Sequence, residues 1–336
     1  MFQGTKISEL KSEVMMNTAI VTGVAGFIGS HLAERLLENK FKVIGIDSFT
    51  NYYSKKIKEN NLVFCLKNTN FTLVKEDLIN TDLVTIFKKG QYLFHIAAQP
   101  GVRTSWGKQF KTYVKDNLLV TQRILECAKY TNSFKKIVIA SSSSVYGEQV
   151  GKMNEETTRL LPVSPYGVSK LAAENLSRIY AENFELPITS LRYFTVYGPK
   201  QRPEMAFMRF IVDALSNHSI TIYGDGNQTR DFTYIGDVIS ATVATIENDT
   251  RGGILNIGGG QAVSINNVIK ILEDLLGSRL TISYKSKQKG DVTHTESDIS
   301  KATQILNYKP SIKIKNGLLQ QIKYVKNNLA LYTKFC

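Results

Sequence analysis

The sequence has few of the residues from which metal centres and disulfide frameworks are built. Its 336 residues include only three cysteines and four histidines. Cys65, Cys127 and Cys336 show neither paired nor metal-ligand spacing, and the histidines are scattered along the chain. We therefore expect no metal site, and we expect reduced thiols, as is typical of a cytoplasmic protein.

Long apolar runs are also absent. No stretch approaches the ~18–20 consecutive apolar residues that a membrane helix needs. Residues 1–16 mix charged and apolar side chains without an apolar core, so they are predicted to form an N-terminal arm rather than a secretory signal. These features indicate a cytoplasmic protein without a membrane partner.

Acidic residues are outnumbered, because 29 aspartates and glutamates stand against 42 lysines and arginines, giving a net charge of +13. A nucleic-acid-binding protein would concentrate this excess in a basic patch. The lysines are instead spread along the whole chain. The charge favours an anionic small-molecule site within a lysine-rich surface, and we expect no nucleic-acid partner.

The first half of the chain alternates short apolar runs with helical patterns. The predicted strands are 18–23, 41–47, 71–78, 92–98, 135–142 and 187–194. The predicted helices between them are about 27–40, 81–89, 110–130 and 166–184. This alternation is typical of a parallel sheet covered on both faces. It predicts an α/β fold with a Rossmann-type doubly wound parallel sheet.

The second half changes character and predicts a smaller α/β substrate-binding cap. Its patterns are a helix at 202–215, strands and turns at 219–234 and 254–260, and helices near 264–277 and 316–330. We assign residues 17–192, with about 232–258, to the larger nucleotide-binding domain. Residues 193–231 and 259–336 are assigned to the cap.

A glycine-rich turn follows the first predicted strand. Gly23, Gly26 and Gly29 stand between this strand and a helix, so the backbone can approach a pyrophosphate at the helix N-terminus, where Phe27 and Ile28 lie. Asp47 ends the second strand 18 residues after Gly29. A carboxylate there accepts both ribose hydroxyls of NAD and repels the 2′-phosphate of NADP, so NAD is the predicted cofactor.

Further cofactor contacts are predicted where the other strands end. Asn51 is close enough to assist Asp47, and Asp77 and Leu78 are placed to contact adenine. Ala97 and Ala98 follow the fourth strand, and their small side chains suit a backbone that lies against the cofactor.

Tyr166 and Lys170 are four residues apart at the start of a predicted helix, which places them on one helix face. A tyrosine with the ordinary pKa of about 10 is too weak a base at neutral pH. A lysine ammonium one turn away and a positive nicotinamide ring favour the phenolate. The tyrosine can then take a proton from a sugar hydroxyl while hydride leaves the carbon.

With these motifs the chain resembles the extended short-chain dehydrogenases/reductases, in the NAD-dependent nucleotide-sugar epimerase/dehydratase family. The resemblance covers about residues 17–330 and includes the later motifs "LRYFTVYGP", "GDGNQTRDFTY" and "NIGGG". It implies that Ser142, four residues before Tyr146, is the catalytic hydroxyl and that Asn117 belongs to the cofactor site. It also implies a UDP-sugar substrate and a homodimer formed through the helices near 110–130 and 166–184.

The residues after Ser142 bear on the reaction. The 4,6-dehydratases of this family carry Asp-Glu where this chain has Ser143 and Ser144, and UDP-glucuronate decarboxylases carry a glutamate where it has Ser144. The resemblance therefore favours 4-epimerisation. A 4,6-dehydratase, a decarboxylase and an oxidoreductase that uses external NAD(H) remain as alternatives.

The substrate motifs resemble those of the UDP-glucuronate 4-epimerases. Arg202 is predicted to bind the sugar carboxylate, with Arg103 as a rival cation and with hydroxyls from Thr195 and from Ser142, Ser143 and Ser144. The resemblance further implies that Arg230 binds the diphosphate, that Asp291 lies near the ribose and that the small Thr295 leaves room at C2. UDP-glucose, UDP-N-acetylglucosamine and its uronate remain alternative substrates.

Overall fold

The structure is a computed structural model that describes residues 16–131 and 134–333. Most of the predicted N-terminal arm, and Cys336, lie outside the described residues. The strands are β1 (Thr18–Thr22), β2 (Lys42–Ile46), β3 (Phe71–Val74), β4 (Tyr92–His95), β5 (Lys136–Ser142), β6 (Ile188–Tyr193), β7 (Val196–Tyr197), β8 (Ile220–Tyr223), β9 (Thr229–Asp231), β10 (Thr233–Tyr234), β11 (Ile254–Ile257), β12 (Ala262–Ser264) and β13 (Ile282–Lys285).

The helices are α1 (Phe27–Glu38), α2 (Lys55–Asn61), α3 (Val63–Leu66), α4 (Leu83–Phe87), α5 (Phe110–Tyr113), α6 (Val120–Thr131), α7 (Pro165–Phe184), α8 (Ala206–Leu215), α9 (Ile235–Ala244), α10 (Ile265–Leu276), α11 (Ser300–Leu306) and α12 (Ile314–Tyr332). A π-helical segment, Val114–Leu119, joins α5 to α6. Within the described residues, every helix is too short or too polar to span a membrane.

Seven parallel strands form the central sheet in the order β11-β6-β5-β4-β1-β2-β3. Helices cover both faces: Leu32 of α1 and Ile239 of α9 pack on one, and Phe87 of α4 and Ile124 of α6 on the other. This arrangement confirms the predicted α/β fold of Rossmann type. The strand order reverses between β1 and β4, and such a reversal opens a crevice at the carboxyl ends of the strands.

A second apolar core lies among the helices of the later part of the chain. It contains Phe207 and Ile211 of α8, Ile269 of α10 and Leu318 of α12, with Ile220 of β8 beneath them. β8 pairs in parallel with β13, and β9 pairs antiparallel with β12. This core corresponds to the predicted cap, whose exact domain boundaries stay a prediction.

The sequence patterns overestimated the length of some elements and did not predict others. The third strand ends at Val74, so Asp77 and Leu78 lie in the turn that follows it. Helices α2, α3, α9 and α11 were not predicted. Helix α2 is short and lysine-rich, and α9 is apolar on most of its surface because it is buried between α1 and the end of β7. Neither sequence has the clear one-sided apolar pattern of a surface helix.

The "NIGGG" turn is held by a buried carboxylate. Both oxygens of Asp231 accept hydrogen bonds, from the backbone N–H of Gly259 at 2.5 Å and of Gly260 at 3.1 Å, and from that of Ser297 at 2.9 Å. A Cβ at Gly259 would lie 3.0 Å from Asp231 Oδ1. These glycines therefore bring the backbone close to Asp231 and form a structural turn.

A tight turn also follows the serine-rich end of β5. Gly147 has a φ of 73°, and a Cβ there would lie 1.7 Å from the carbonyl oxygen of Leu161. Gly151 has a nearly identical φ of 76°, but no atom lies within 4 Å of its Cβ position. A comparison of substitutions at the two glycines therefore distinguishes the cost of the left-handed backbone from the cost of the steric overlap.

We predict that Gly147→Ala lowers the free energy of unfolding by at least about 3 kcal/mol, because strain and overlap act together. The matched variant Gly151→Ala is expected to lose only about 1 kcal/mol, from the left-handed backbone alone. Urea denaturation of both proteins measures the difference. Equal losses would contradict the role assigned to the contact between Gly147 and Leu161.

Candidate active site

A long cleft crosses the carboxyl ends of the central strands and collects most of the predicted site residues. The predicted residues that line it are Gly23, Gly26, Phe27, Ile28, Gly29, Asp47, Asp77, Leu78, Ala97, Ala98, Ser142, Ser143, Ser144, Tyr166, Lys170, Thr195 and Arg202. Residues that are far apart in the sequence thus meet in one crevice, at the reversal of strand order.

The glycine-rich turn fits a pyrophosphate. Gly23 has a φ of 68°, and a Cβ at Gly29 would lie 2.2 Å from the carbonyl oxygen of Gly23. Helix α1 is capped by Gly26 without any side-chain hydrogen bond, and its first turn carries no acidic residue. The N–H groups of this first turn are therefore available to an anion in the cleft.

Asp47 lies at the other side of this turn, where a ribose would follow. Its carboxylate accepts hydrogen bonds from the backbone N–H of Ala25 at 3.0 Å and of Phe49 at 2.8 Å. These two bonds fix the carboxylate and leave lone pairs for a diol, because each carboxylate oxygen can accept more than one bond. Gly23, Gly29 and Asp47 together fit the adenosine diphosphate part of NAD.

Lys58 is a cleft residue that the sequence patterns missed. Its ammonium donates to the carbonyl oxygen of Thr50 at 2.8 Å and to Thr50 Oγ1 at 3.2 Å, and the side chain is buried. Burial lowers the pKa of Lys58, and the charge of Asp47 opposes this shift. The local sequence does not distinguish Lys58 from Lys55 and Lys56. The difference between these lysines arises only from the way α2 packs against the cleft.

Two predicted cofactor contacts do not line the cleft. The loop after β2 turns at Phe49, with a φ of 50°, and Asn51 lines a neighbouring cavity instead. Asn117 lies in the π-helical segment and is buried. Its amide donates to the carbonyl oxygen of Gln99 at 3.1 Å and to Ser169 Oγ at 2.9 Å. Asn117 therefore holds the loop after β4 against α7 rather than facing the cleft.

Ser142, Tyr166 and Lys170 come together as the sequence predicted. Ser142 ends β5, and its hydroxyl lies close enough to Tyr166 to lower the pKa of that residue. Helix α7 begins directly before Tyr166, because Ser164 caps its N-terminus by accepting a hydrogen bond from the N–H of Gly167 at 3.1 Å. Lys170 follows one turn later and is buried.

The side chains of this group do not by themselves favour the phenolate. Burial raises the pKa of Tyr166, while the hydroxyl of Ser142 and the charge of Arg202 oppose the rise. Burial also lowers the pKa of Lys170 to about 8, although the carboxylate of Glu174 raises it. Loss of hydration outweighs the nearby charges, so the tyrosine needs a further positive charge in the cleft before it becomes a base.

A buried ion pair connects the helix and the strands next to the predicted catalytic residues. Arg192 of β6 donates to Glu174 of α7 from Nε at 3.0 Å and from Nη2 at 2.5 Å. Ser141 Oγ donates to the same carboxylate at 2.7 Å, and Arg192 Nη1 donates to the hydroxyl of Tyr146 at 2.7 Å. Sequence reasoning missed this pair, whose only local signal is that Glu174 follows Lys170 at the spacing of one helical turn.

The predicted substrate residues fall into two groups. Thr195 and Arg202 line the cleft beside the three serines. Arg103 does not line it, because it pairs with Asp291, Nη2 to Oδ2 at 2.7 Å, and stacks 4.3 Å from the ring centre of Tyr223. The rival cation is thus turned toward the cap, away from Ser142.

Arg230 and Thr295 also lie outside the cleft. Arg230 donates to the carbonyl oxygens of Thr229 at 2.8 Å and Val292 at 2.6 Å, which places it beside Asp291. Thr295 is buried, and its Oγ1 accepts a hydrogen bond from the N–H of Asp231 at 3.2 Å. Arg103, Arg230 and Asp291 form a separate polar group between the loop after β4 and the cap.

Most of the chain resembles proteins of one family. The sequence model of the NAD-dependent epimerase/dehydratase family matches residues 19–258. The chain belongs to this family. It is 44% identical to the crystal structure of the UDP-glucuronic acid 4-epimerase from Bacillus cereus in complex with UDP-glucuronic acid and NAD, with a TM-score of 0.90 and coverage of 93% of this chain and 99% of that one.

Two curated relatives match over nearly their full length. The UDP-glucuronate 4-epimerase of Thermodesulfobacterium geofontis is 40% identical over 320 residues, which cover 94% of this chain and 98% of the relative. A Bacillus subtilis protein named as an uncharacterized UDP-glucose epimerase is 44% identical over 310 residues, covering 92% and 98%. The predicted family and the predicted cofactor NAD are confirmed. Among the described residues, no cluster of metal-ligating side chains occurs.

His95 of β4 is a buried, neutral side chain that links Thr22 of β1 to Thr121 of α6. Thr121 Oγ1 donates to the carbonyl oxygen of Asn117 at 2.7 Å, so it accepts from His95 Nε2 at 3.1 Å. His95 Nδ1 then accepts from Thr22 Oγ1 at 2.8 Å, and Thr22 Oγ1 accepts from the N–H of Ala97. Burial lowers the pKa of His95 to about 3, with the charge of Lys170 acting in the same direction.

We predict that this histidine makes the protein less stable in acid. The unfolded chain takes up a proton at His95 below about pH 6.5, whereas the folded chain does so only near pH 3, so stability falls as the pH drops through this window. His95→Gln keeps polar contacts without titrating. Between pH 7 and pH 5 it should lose about 2 kcal/mol less stability than the wild type. Parallel losses in urea denaturation at the two pH values would contradict a neutral, buried His95.

Proposed function

We propose that the chain is an isomerase that converts UDP-glucuronate and UDP-galacturonate into one another by 4-epimerisation. The observation that carries the proposal is that Arg202 and Thr195 face the same cleft as Ser142 and Tyr166. A cation and a hydroxyl donor beside the reacting hydroxyl suit a sugar with a carboxylate at C5. The names of the B. cereus and T. geofontis relatives agree with this substrate.

The catalytic side chains can carry out the proton transfer. Tyr166 takes the proton of the C4 hydroxyl, with Ser142 bonded to the same oxygen, and returns it at the end of the reaction. NAD, when bound, accepts the hydride from C4 and gives it back. The 4-keto sugar turns between these two events, so hydride returns to its opposite face. Lys170 and the bound positive ring supply the charge that the buried Tyr166 needs.

The distribution of carboxylates favours epimerisation over elimination. The carboxylates that line the cleft are Asp47, Glu76, Asp77 and Asp116 within the described residues. Asp77 bonds Lys115 at 2.6 Å, and Lys115 also pairs with Asp116. All four therefore belong to the adenosine end. Serines occupy the positions at the proposed sugar end, so among the described residues no carboxylate is placed to remove water from the sugar.

Arg202 is suited to a bound carboxylate because most of its donors are free. Its Nε donates to Glu204 at 2.6 Å, and within the described residues the guanidinium makes no other hydrogen bond to the protein. The guanidinium has five N–H donors in a fork that matches a carboxylate. Its terminal edge can therefore hold both oxygens of the uronate.

We predict that Arg202→Ala lowers kcat/KM for UDP-glucuronate by about 100-fold, the effect of losing a charge-assisted pair of hydrogen bonds. Turnover of UDP-glucose should change less than threefold. Arg251→Ala, at an exposed turn, serves as the matched control. Both substrates are followed by proton NMR. Equal losses for the two sugars would contradict carboxylate recognition, and turnover of only UDP-glucose or UDP-N-acetylglucosamine by the wild type would select the alternative substrates.

The same variant tests whether the carboxylate anchor protects the intermediate. The 4-keto form of glucuronate is a β-keto acid, in which the C5–C6 bond can break to release carbon dioxide and leave its electron pair in an enolate that is protonated at C5. Anchoring the carboxylate keeps this bond out of line with the carbonyl π system. Arg202→Ala should therefore release a keto-pentose, and unchanged carbon dioxide release would contradict the protective role.

We also propose that the enzyme acts as a homodimer through α7 and the segment before α6. Val168, Asn175 and Ile179 share one face of α7 at helical spacing, and the side chains of Val168 and Ile179 are exposed in the single chain. Leu119 of the neighbouring π-helical segment is also exposed. A surface of this kind is buried when two copies pack these helices together.

We predict that Ile179→Asp separates the dimer, because pairing would bury two unpaired carboxylates. Tyr284→Asp changes a more exposed aromatic residue, in β13 of the cap, and should leave the mass unchanged. Sedimentation equilibrium measures both against the 37.7 kDa of one chain. A monomeric wild type, or a dimeric Ile179→Asp protein, would contradict this interface.

A further inference from the structure

Arg202 and Glu204 line two neighbouring cavities. Arg202 lines the cleft, whereas Glu204 lines the adjoining cavity, and Tyr52 and Tyr53 line both. Arg202 Nε donates to Glu204 Oε1 at 2.6 Å. Glu204 does not line the cleft, but it contacts the cation that does.

The two residues before Arg202 are held in place by hydrogen bonds to the rest of the protein. Lys200 Nζ donates to Glu34 at 2.6 Å and to the carbonyl oxygen of Asn61 at 3.0 Å. The side chain of Gln201 is buried, where it donates to the carbonyl oxygen of Val196 and accepts from the N–H of Met208 at 3.0 Å. The backbone around Arg202 thus has little freedom, and the remaining freedom lies in its long side chain.

Glu204 restricts the motion of the Arg202 side chain by bonding the guanidinium at one edge, through Nε. An arginine side chain loses rotamer entropy when a ligand fixes it. If a second side chain already holds the arginine in place, the entropic cost of binding the ligand is smaller. Because Glu204 bonds Nε, the two terminal nitrogens are left to point into the cleft. A single carboxylate on Nε also leaves room for another carboxylate on the terminal edge.

We propose that Glu204 is a positioning residue for sugar specificity: from the neighbouring cavity it holds Arg202 so that the terminal edge of the guanidinium meets the uronate carboxylate. The proposal rests on the proposed function, since it assumes that Arg202 binds the uronate. It gives Glu204 a role that depends on the geometry of its hydrogen bond to Arg202. It predicts that replacing Glu204 changes the preference between acidic and neutral sugars, although Glu204 does not line the cleft.

The test compares Glu204→Ala with Glu204→Gln, because glutamine keeps an acceptor oxygen for Nε and loses the charge. Dissociation constants for UDP-glucuronate and UDP-glucose are measured by calorimetry on the NAD-bound enzyme, together with KM and kcat. Glu204→Ala should reduce the preference for UDP-glucuronate about tenfold, equal to about 1.4 kcal/mol, through KM rather than kcat. Glu204→Gln should stay within about threefold of the wild type.

Three results would overturn the proposal. An unchanged preference in Glu204→Ala would show that Arg202 needs no support. A stronger preference would show that Glu204 masks the cation instead of positioning it. An equal loss in both variants would show that the charge matters and the bond geometry does not. If the wild type binds UDP-glucuronate without converting it, the proposed function fails, while the ratio of dissociation constants still decides the role of Glu204.

Discussion

The proposed catalytic group depends on a buried ion pair that joins helix α7 to two strands of the sheet. Glu174 of α7 and Arg192 of β6 are almost fully buried, and Ser141 ties the same carboxylate to β5. Removing one partner of such a pair costs about 3–5 kcal/mol, since the other charge is left unpaired. Ser142 follows Ser141, and Tyr166 and Lys170 precede Glu174 on the same helix. The pair therefore helps to fix the strand and the helix that carry Ser142 and Tyr166 relative to one another.

Burial has two opposing effects at this site. It fixes Tyr166 and Lys170, but it raises the pKa of the tyrosine and lowers that of the lysine. The side chains alone therefore do not make a strong base at neutral pH. A bound nicotinamide ring would add positive charge beside Tyr166, and this charge would favour the phenolate. This coupling suits a reaction in which the cofactor stays bound and is restored in each cycle.

The parts of the site that the sequence predicted depend on local spacing. The glycine turn, Asp47 at the end of β2, and the pair Tyr166 and Lys170 each lie within a few residues of a recognisable strand or helix end. Lys58, Glu174 with Arg192, and the pairing of Arg103 with Asp291 depend on contacts between distant segments, which spacing does not encode. Asn117 differs from both groups. The family resemblance predicted it in the cofactor site, but in the π-helical segment its side chain bonds Gln99 and Ser169 and does not line the cleft.

The cleft thus has a cofactor end, with the glycine turn and Asp47, and a proposed sugar end that serines, Thr195 and Arg202 line. The most direct test is to incubate the purified enzyme with UDP-glucuronate in deuterium oxide without added NAD and to record proton NMR spectra. Our account predicts UDP-galacturonate that keeps protium at C4, because the same hydride leaves and returns. Deuterium at C4, or a requirement for added NAD in each turnover, would contradict it.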